Sequence, residues 1–292
     1  MGSQTERRNQ GPREGTHQGK MPAILTSYHV HSTNSDGLDT IRQLVESAIE
    51  LGLDELGISD HYVIPEGKEP CPWSMPLDRL PEYVAEVRSA QEIAGDRLQV
   101  RIGLETDFAP STAKALADAL SAHPFDYVIG SMHFLDGFPV DAHAEDWEGL
   151  SEMDRDIIMM RYWIRMADLA ASGLFDFVGH IDICKKFGFR ATIDLSREIE
   201  AALDAIAESG MAVEVNTSGL HMPAAEVYPS ASILRECHAR GIPVLVTSDA
   251  HSAASLTRGF EHAARLVVKA GYSQVAAFAG RMMRLGAVTP LP

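Results

Sequence analysis

The chain has 292 residues, 45% hydrophobic and 7% aromatic, with 25 Lys and Arg against 41 Asp and Glu, a formal net charge of −16. That length and apolar content suit one large α/β domain or two smaller ones, and so acidic a surface repels nucleic-acid phosphates, which excludes a general DNA- or RNA-binding role. No apolar run approaches the roughly 18 to 20 residues that span a bilayer, so no membrane partner is expected either.

The opening stretch "MGSQTERRNQGPREGTHQGK" has no apolar segment of the signal-peptide kind, and residues 1–22 read as a disordered tail or a cloning remnant. The remainder, 23–292, reads as a single domain with no internal boundary. Its first strand is "AILTSYHVH", followed by the helix "DTIRQLVESAIELG", capped by Asp39 and closed by Gly52. "LDELGISDH" is the second strand. A Pro-rich loop from Tyr62 to Pro76 follows, and its Trp73 is placed either to cover a site as a lid or to pack down. A helix from about Leu77 to Ala94 leads to the strand "LQVRIGLE", and "STAKALADALSAH" to "FDYVIGSMH". After an acidic loop, "DRDIIMMRYWIRMADLAASG" feeds "FDFVGH", "DLSREIEAALDAIAESG" feeds "MAVEVN", and "SASILRECHARG" feeds "PVLVTSD". Seven βα-like units with continuously apolar strands argue for a parallel sheet, either a barrel or a doubly wound sheet. Cys71, Cys184 and Cys237 are widely spaced and read as free thiols in a reducing cytoplasm.

Polar residues recur at the strand ends. They are His29 and His31; Asp60 and His61; Glu105, then Asp107; His133; His180, then Asp182; Glu214 and Asn216; Asp249 and His251. In a parallel barrel these ends converge on one rim, where such enzymes place their chemistry. His29 and His31, two apart on a strand, project from the same face. Each residue alone has an ordinary explanation: Asp36 as a turn residue in "NSDG", Glu105 as a solvated strand end, Asp249 as a helix cap. A potential ligand at every one of seven strand ends does not. Imidazoles with carboxylates and no thiolate suit Zn²⁺, Mn²⁺ or Fe²⁺, and the number of groups suits two or three ions. His17, His123, His238 and His262 lack this placement and read as structural; His143, in the acidic loop, is left open.

Together, "HVHSTNSDG", "ISDHY", "GLETDF", "GSMHFLDG", "GHIDICKKFG", "EVNTSGL…EVYPS" and "SDAHS" resemble the polymerase and histidinol phosphatase (PHP) superfamily, most nearly its monofunctional histidinol-phosphatase branch. The resemblance covers nearly the whole chain after the tail. It implies a distorted (β/α)₇ barrel with three divalent ions at the C-terminal rim. Carried over by residue, it gives the first ion to His29, His31, Glu105 and Asp249 and the second to Asp36, His61 and His251. Glu105 would bridge to a third ion, completed by His133 and His180. Asp36 follows a variant of the first motif seen elsewhere in the superfamily, and His221-Met222 stand where the branch typically has a basic pair. The implied activity is that of a phosphoric monoester hydrolase, splitting L-histidinol phosphate in histidine biosynthesis with a metal-bound hydroxide held by those ligands.

No GxSxG elbow or P-loop offers another nucleophile or phosphate cradle. Lys185 and Lys186 are candidates for gripping the phosphate, and Asn216 and His221 for lining the substrate pocket. The only partner expected is a small phosphomonoester. The alternative readings are a PHP phosphoesterase acting on a nucleotide or sugar phosphate and, ranked below it, a non-catalytic metal-binding module. A metal-dependent amidohydrolase, which commonly carries a carboxylated lysine at a strand end, finds no lysine so placed.

Overall fold

A computed structural model describes residues 23–67 and 70–288, so the reading of residues 1–22 as a tail lies outside the described residues. Seven short parallel strands form a ring. The first (Thr26–Ser27) pairs with the second (Glu55–Ile58), and the second with the first half of the third (Gln99–Ile102). The other half of the third strand (Glu105–Asp107) turns to pair with the fourth (Ile129–Ser131). The fifth (Phe177–Val178), sixth (Ala212–Asn216) and seventh (Val244–Thr247) follow in order. The ring closes through a parallel bridge between Val30 and Ala250, where His31 N donates to Ala250 O at 2.8 Å. Of the two architectures open to a parallel sheet, the chain adopts the barrel.

The barrel is distorted for a visible reason. Tyr127 fills its interior, and a Cβ at Gly57 or Gly103 would lie 2.0 or 2.2 Å from the Tyr127 side chain. Its hydroxyl donates to Tyr28 O at 2.6 Å. The third strand breaks just after Gly103 and changes partner there, and a bridge from His61 to Glu105 spans the break.

Helices pack around the ring. The first, Ile41–Glu50, starts with a capping box between Thr40 and Gln43. The cap expected at Asp39 is therefore one residue early, and the Asp39 carboxylate instead accepts from Ala253 N at 2.7 Å. Leu80–Ala94, preceded by a 3₁₀ turn at Leu77–Arg79, and Ala113–Ser121 lie close to their expected spans. So do Glu152–Ala171, Ser196–Ser209 and Ala231–Ala239.

Beyond the seventh strand the chain adds a helix and a hairpin, of which the sequence reading did not contain the hairpin. A helix at Phe260–Ala270 precedes an antiparallel hairpin, Gln274–Ala279 with Met282–Val288. The hairpin's second strand pairs in parallel with Ala23–Ile24. Its first strand lays Ala276, Ala277 and Phe278 against an inner core of Tyr28, Tyr127, Ile129, Phe177, Ala212 and Leu245. Arg281 ties it to the starts of the fourth and fifth strands, through Asp126 O at 2.8 Å and Leu174 O at 2.7 Å. The hairpin thus plugs the end of the barrel opposite the polar strand ends. Replacing the buried Phe278 with Ala is expected to cost about 3–5 kcal/mol, read as a lower denaturant midpoint at an unchanged slope.

Candidate metal centre

At the C-terminal ends of the strands, all nine expected ligands come together around one carboxylate. Glu105 Oε2 lies 3.0 Å from His29 Nε2, 2.9 Å from His61 Nδ1 and 3.5 Å from His31 Nε2. Its Oε1 lies 3.0 Å from His180 Nε2 and 3.5 Å from His133 Nε2. Asp249 Oδ1 stands 3.5 Å from His29 Nε2 and 3.3 Å from His31 Nε2. Asp36 stands 3.7 Å from His61 Nε2 and 3.3 Å from His251 Nε2. Four overlapping groups have donor atoms within 4.8 Å of one another: His31, Asp36, His61 and His251; His29, His31 and Asp249; His29, Glu105 and His180; His61, Glu105 and His133. His29, His31, His61 and Glu105 each belong to two of them.

The donor set fits divalent cations. His29, His31 and Glu105 are fully buried and His180 nearly so. Yet His29 Nε2, both nitrogens of His31, His61 Nδ1, Glu105 Oε2 and His180 Nδ1 have no hydrogen-bond partner. Buried polar atoms almost always find one, and six orphans in one pocket call for a ligand that takes lone pairs. Imidazole and carboxylate without thiolate select Zn²⁺, Mn²⁺ or Fe²⁺.

Further carboxylates aim these ligands. Glu214 Oε1 lies 2.6 Å from His29 Nδ1, its Oε2 accepts from His180 N at 2.6 Å, and the Thr247 hydroxyl donates to it. Asp107 holds His133 Nδ1 at 2.6 Å and accepts from the His133 and Phe134 amides. A carboxylate on one ring nitrogen sets the tautomer and leaves the other free for a cation. Asp60 accepts from the amides and hydroxyls of Ser32 and Ser35, which pins the turn that presents Asp36. That turn needs Gly37, because a Cβ there would lie 2.2 Å from His31 O. Asn216 Nδ2 donates to Asp249 Oδ2 at 3.3 Å, and Asp249 has a left-handed φ of 53°.

A PHP domain model matches residues 27–218, well over half of the chain. The chain belongs to the PHP domain family. A probable histidinol-phosphatase of Deinococcus radiodurans is 38% identical over 228 residues, 78% of this chain and 86% of that protein. A histidinol-phosphatase of Bacillus subtilis is 27% identical over 259 residues, 82% of this chain and 95% of its own length. Among solved structures, histidinol phosphate phosphatase from Lactococcus lactis subsp. lactis, complexed with Zn, L-histidinol and phosphate, superposes with a TM-score of 0.76. The match covers 90% of this chain and 99% of that one, and its 24% identity speaks to the fold.

In this PHP barrel the rim opens into a cavity of about 620 Å³, walled by six of the clustered residues together with Trp73, Asp141, Asp146, Lys186, Tyr228 and Arg258. Trp73 packs edge-on to His61 and His133, with centroids 4.6 and 5.1 Å away, and stacks on Phe134. This part of the Tyr62–Pro76 loop is therefore packed down as a wall of the site. Of the four residues expected to meet substrate, only Lys186 lines the cavity, held by Asp141 at 3.0 Å. Lys185 is buried, and its ammonium is committed to Asp182 at 2.8 Å, Glu226 at 3.1 Å and Val227 O at 2.9 Å. Asn216 orients Asp249 and is absent from the cavity wall; His221 is exposed, and its neighbour Met222 lines the cavity instead.

Sequence reasoning left Asp60, Asp107 and Glu214 without roles and did not single out Asp146, Tyr228 or Arg258. Only the i, i+2 spacing of Asp107 from Glu105 and of Glu214 from Asn216 signals a shared strand face.

Without a cation the PHP site stores protons. Burial disfavours the charged form of His133, but Asp107 and Glu105 outweigh it and hold its pKa at about 10. His251, also opposed by burial, is raised to about 9 by Asp36 and Asp249. His31, buried and flanked by His61 and His251, is pushed down to about 3. Glu105, despite burial, is held well below the carboxylate range by His29, His61 and His133. A cation must displace the protons on the raised histidines. Zn²⁺ titrated calorimetrically into the metal-free protein near neutral pH is therefore expected to release protons, with apparent affinity rising with pH up to about 10. Glu214→Gln should weaken metal binding about 10- to 100-fold in a chelator competition.

Proposed function

We propose that this chain is a metal-dependent phosphomonoesterase that hydrolyses L-histidinol phosphate to L-histidinol and phosphate, acting as one domain over 23–292. The observation that carries the reading is the buried Glu105 hub, whose orphaned histidine and carboxylate atoms lie behind the His61 and His180 wall of a cavity large enough for such a substrate. The histidinol-phosphatase names of the relatives supply the substrate. We assign His29, His31, Glu105 and Asp249 to a first ion, Asp36, His61 and His251 to a second, and Glu105, His133 and His180 to a third, each Zn, Mn or Fe. Such ions acidify a water to serve as nucleophile and neutralise charge on the phosphoryl oxygens.

The protein's own groups divide the rest of the work. Glu214 and Asp107 keep His29 and His133 in the tautomer that faces inward. Lys186 and Arg258 bring positive charge to the cavity wall, where they meet the phosphate dianion. Asp146 presents a buried carboxylate oxygen with no hydrogen-bond partner, which suits the ammonium of an amino alcohol better than a neutral sugar. Trp73 and Phe134 offer an aromatic face for an imidazole. Cys71, Cys184 and Cys237 are all free thiols, which supports a reducing cytoplasm as the working compartment.

Removal of bound ions with a chelator is expected to abolish phosphatase activity, and Mn²⁺ or Zn²⁺ to restore it; activity surviving verified metal loss would sink the mechanism. Across a panel of phosphomonoesters, kcat/KM for L-histidinol phosphate should exceed that for nucleotides and sugar phosphates by more than about tenfold, the scale of one well-placed charge-assisted hydrogen bond. A preference of only a few-fold would favour another small phosphoester as the substrate.

A further inference from the structure

We propose that the Tyr228 hydroxyl donates a hydrogen bond to the ester oxygen of the departing alcohol, an inference that rests on the phosphomonoesterase reading above. Tyr228 is 1% exposed, its hydroxyl has no hydrogen-bond partner, and it lines the cavity along with His180 and Asp249. Buried tyrosine hydroxyls usually find a partner within the protein, so an orphan on a cavity wall is placed for a ligand. The side chain is held rigidly. Its backbone exchanges hydrogen bonds with Asn216 at 2.7 and 2.9 Å, and Lys185 Nζ lies 5.4 Å from the ring centroid. Gly219 backs the ring so closely that a Cβ there would lie 2.7 Å from a ring carbon. A donor fixed in this way needs no reorganisation when charge develops on its acceptor.

The surroundings decide which substrate atom it meets. Burial, then the carboxylates of Asp182, Asp249 and Asp141, keep the hydroxyl protonated. The same wall includes Asp146 with its unpartnered oxygen. Asp182 and Asp141 are paired with Lys185 and Lys186, so the uncompensated carboxylate on this wall is Asp146; it attracts a cationic amino alcohol while Lys186 draws the phosphoryl group, and the ester oxygen that joins the two falls to Tyr228. In the reaction the P–O ester bond breaks and its electron pair stays on the alcohol oxygen. Water supplies the new P–O bond, one of its protons ends on the alcohol, and Tyr228 stays protonated throughout.

The test compares wild type with Tyr228→Phe, both metal-loaded, on L-histidinol phosphate and on p-nitrophenyl phosphate, whose phenoxide leaves with little assistance. For the variant, metal content is expected to stay unchanged and the Tm to stay level or rise slightly, since the lost hydroxyl has no partner. Its kcat/KM should fall about 10- to 100-fold on L-histidinol phosphate and less than about 3-fold on the aryl ester. Equal losses on both substrates, or none on either, would overturn the role of Tyr228 and leave the phosphomonoesterase reading standing. A wild-type protein that hydrolyses neither substrate would overturn that reading itself, and this proposal with it.

Discussion

The structure depends on one buried carboxylate. Glu105 has no exposed surface, yet its two oxygens face five imidazoles at 2.9 to 3.5 Å. Burying such a group without compensation would cost many kcal/mol, so its surroundings must be cationic, whether from protonated histidines or from bound ions. The fold is arranged to bring that charge. Glu105 stands where the third strand leaves the second and joins the fourth, and there it takes the Ser131 hydroxyl at 2.6 Å and bridges to His61. The third strand thus changes partner at the residue that forms the hub of the site, just after Gly103, which with Gly57 makes room for Tyr127.

Around that hub lies a graded series of acidic groups. Glu105, Asp249 and Asp36 face the histidines directly; Glu214, Asp107 and Asp60 stand behind and hold rings and turns in place. Asp141 and Asp146 continue the series into the cavity, where Lys186 and Arg258 are the counterweight. A net charge of −16 is thus concentrated in part at the rim, where it serves to collect cations. The opposite end of the barrel needs none of this chemistry and is sealed with Ala276, Ala277 and Phe278.

Much of this was legible in the residue order. Seven apolar strands alternating with amphipathic helices specified a parallel sheet, because only strands covered on both faces are apolar throughout. The recurrence of His, Asp and Glu at those strand ends pointed to eight of the nine residues that converge; Asp36, and the choice of ligands among the strand-end groups, came from the quoted motifs through their resemblance to the PHP family. Less legible were the cap at Thr40, one residue from Asp39, and the C-terminal hairpin, whose short apolar strands acquire meaning only against the barrel floor.

Local pattern therefore determined which groups reach the rim, since strand direction and side-chain alternation are properties of neighbouring residues. The tertiary structure alone decided what each group faces there. Lys185 and Lys186 are adjacent and chemically alike, yet one is buried among Asp182, Glu226 and a carbonyl while the other lines the cavity. Asn216 and His221 likewise do not line the cavity, while Tyr228, which stands in the quoted motif "EVYPS" but has no role assigned to it there, does. Those outcomes depend on contacts between distant segments, and the spacing of residues along the chain carries no record of them.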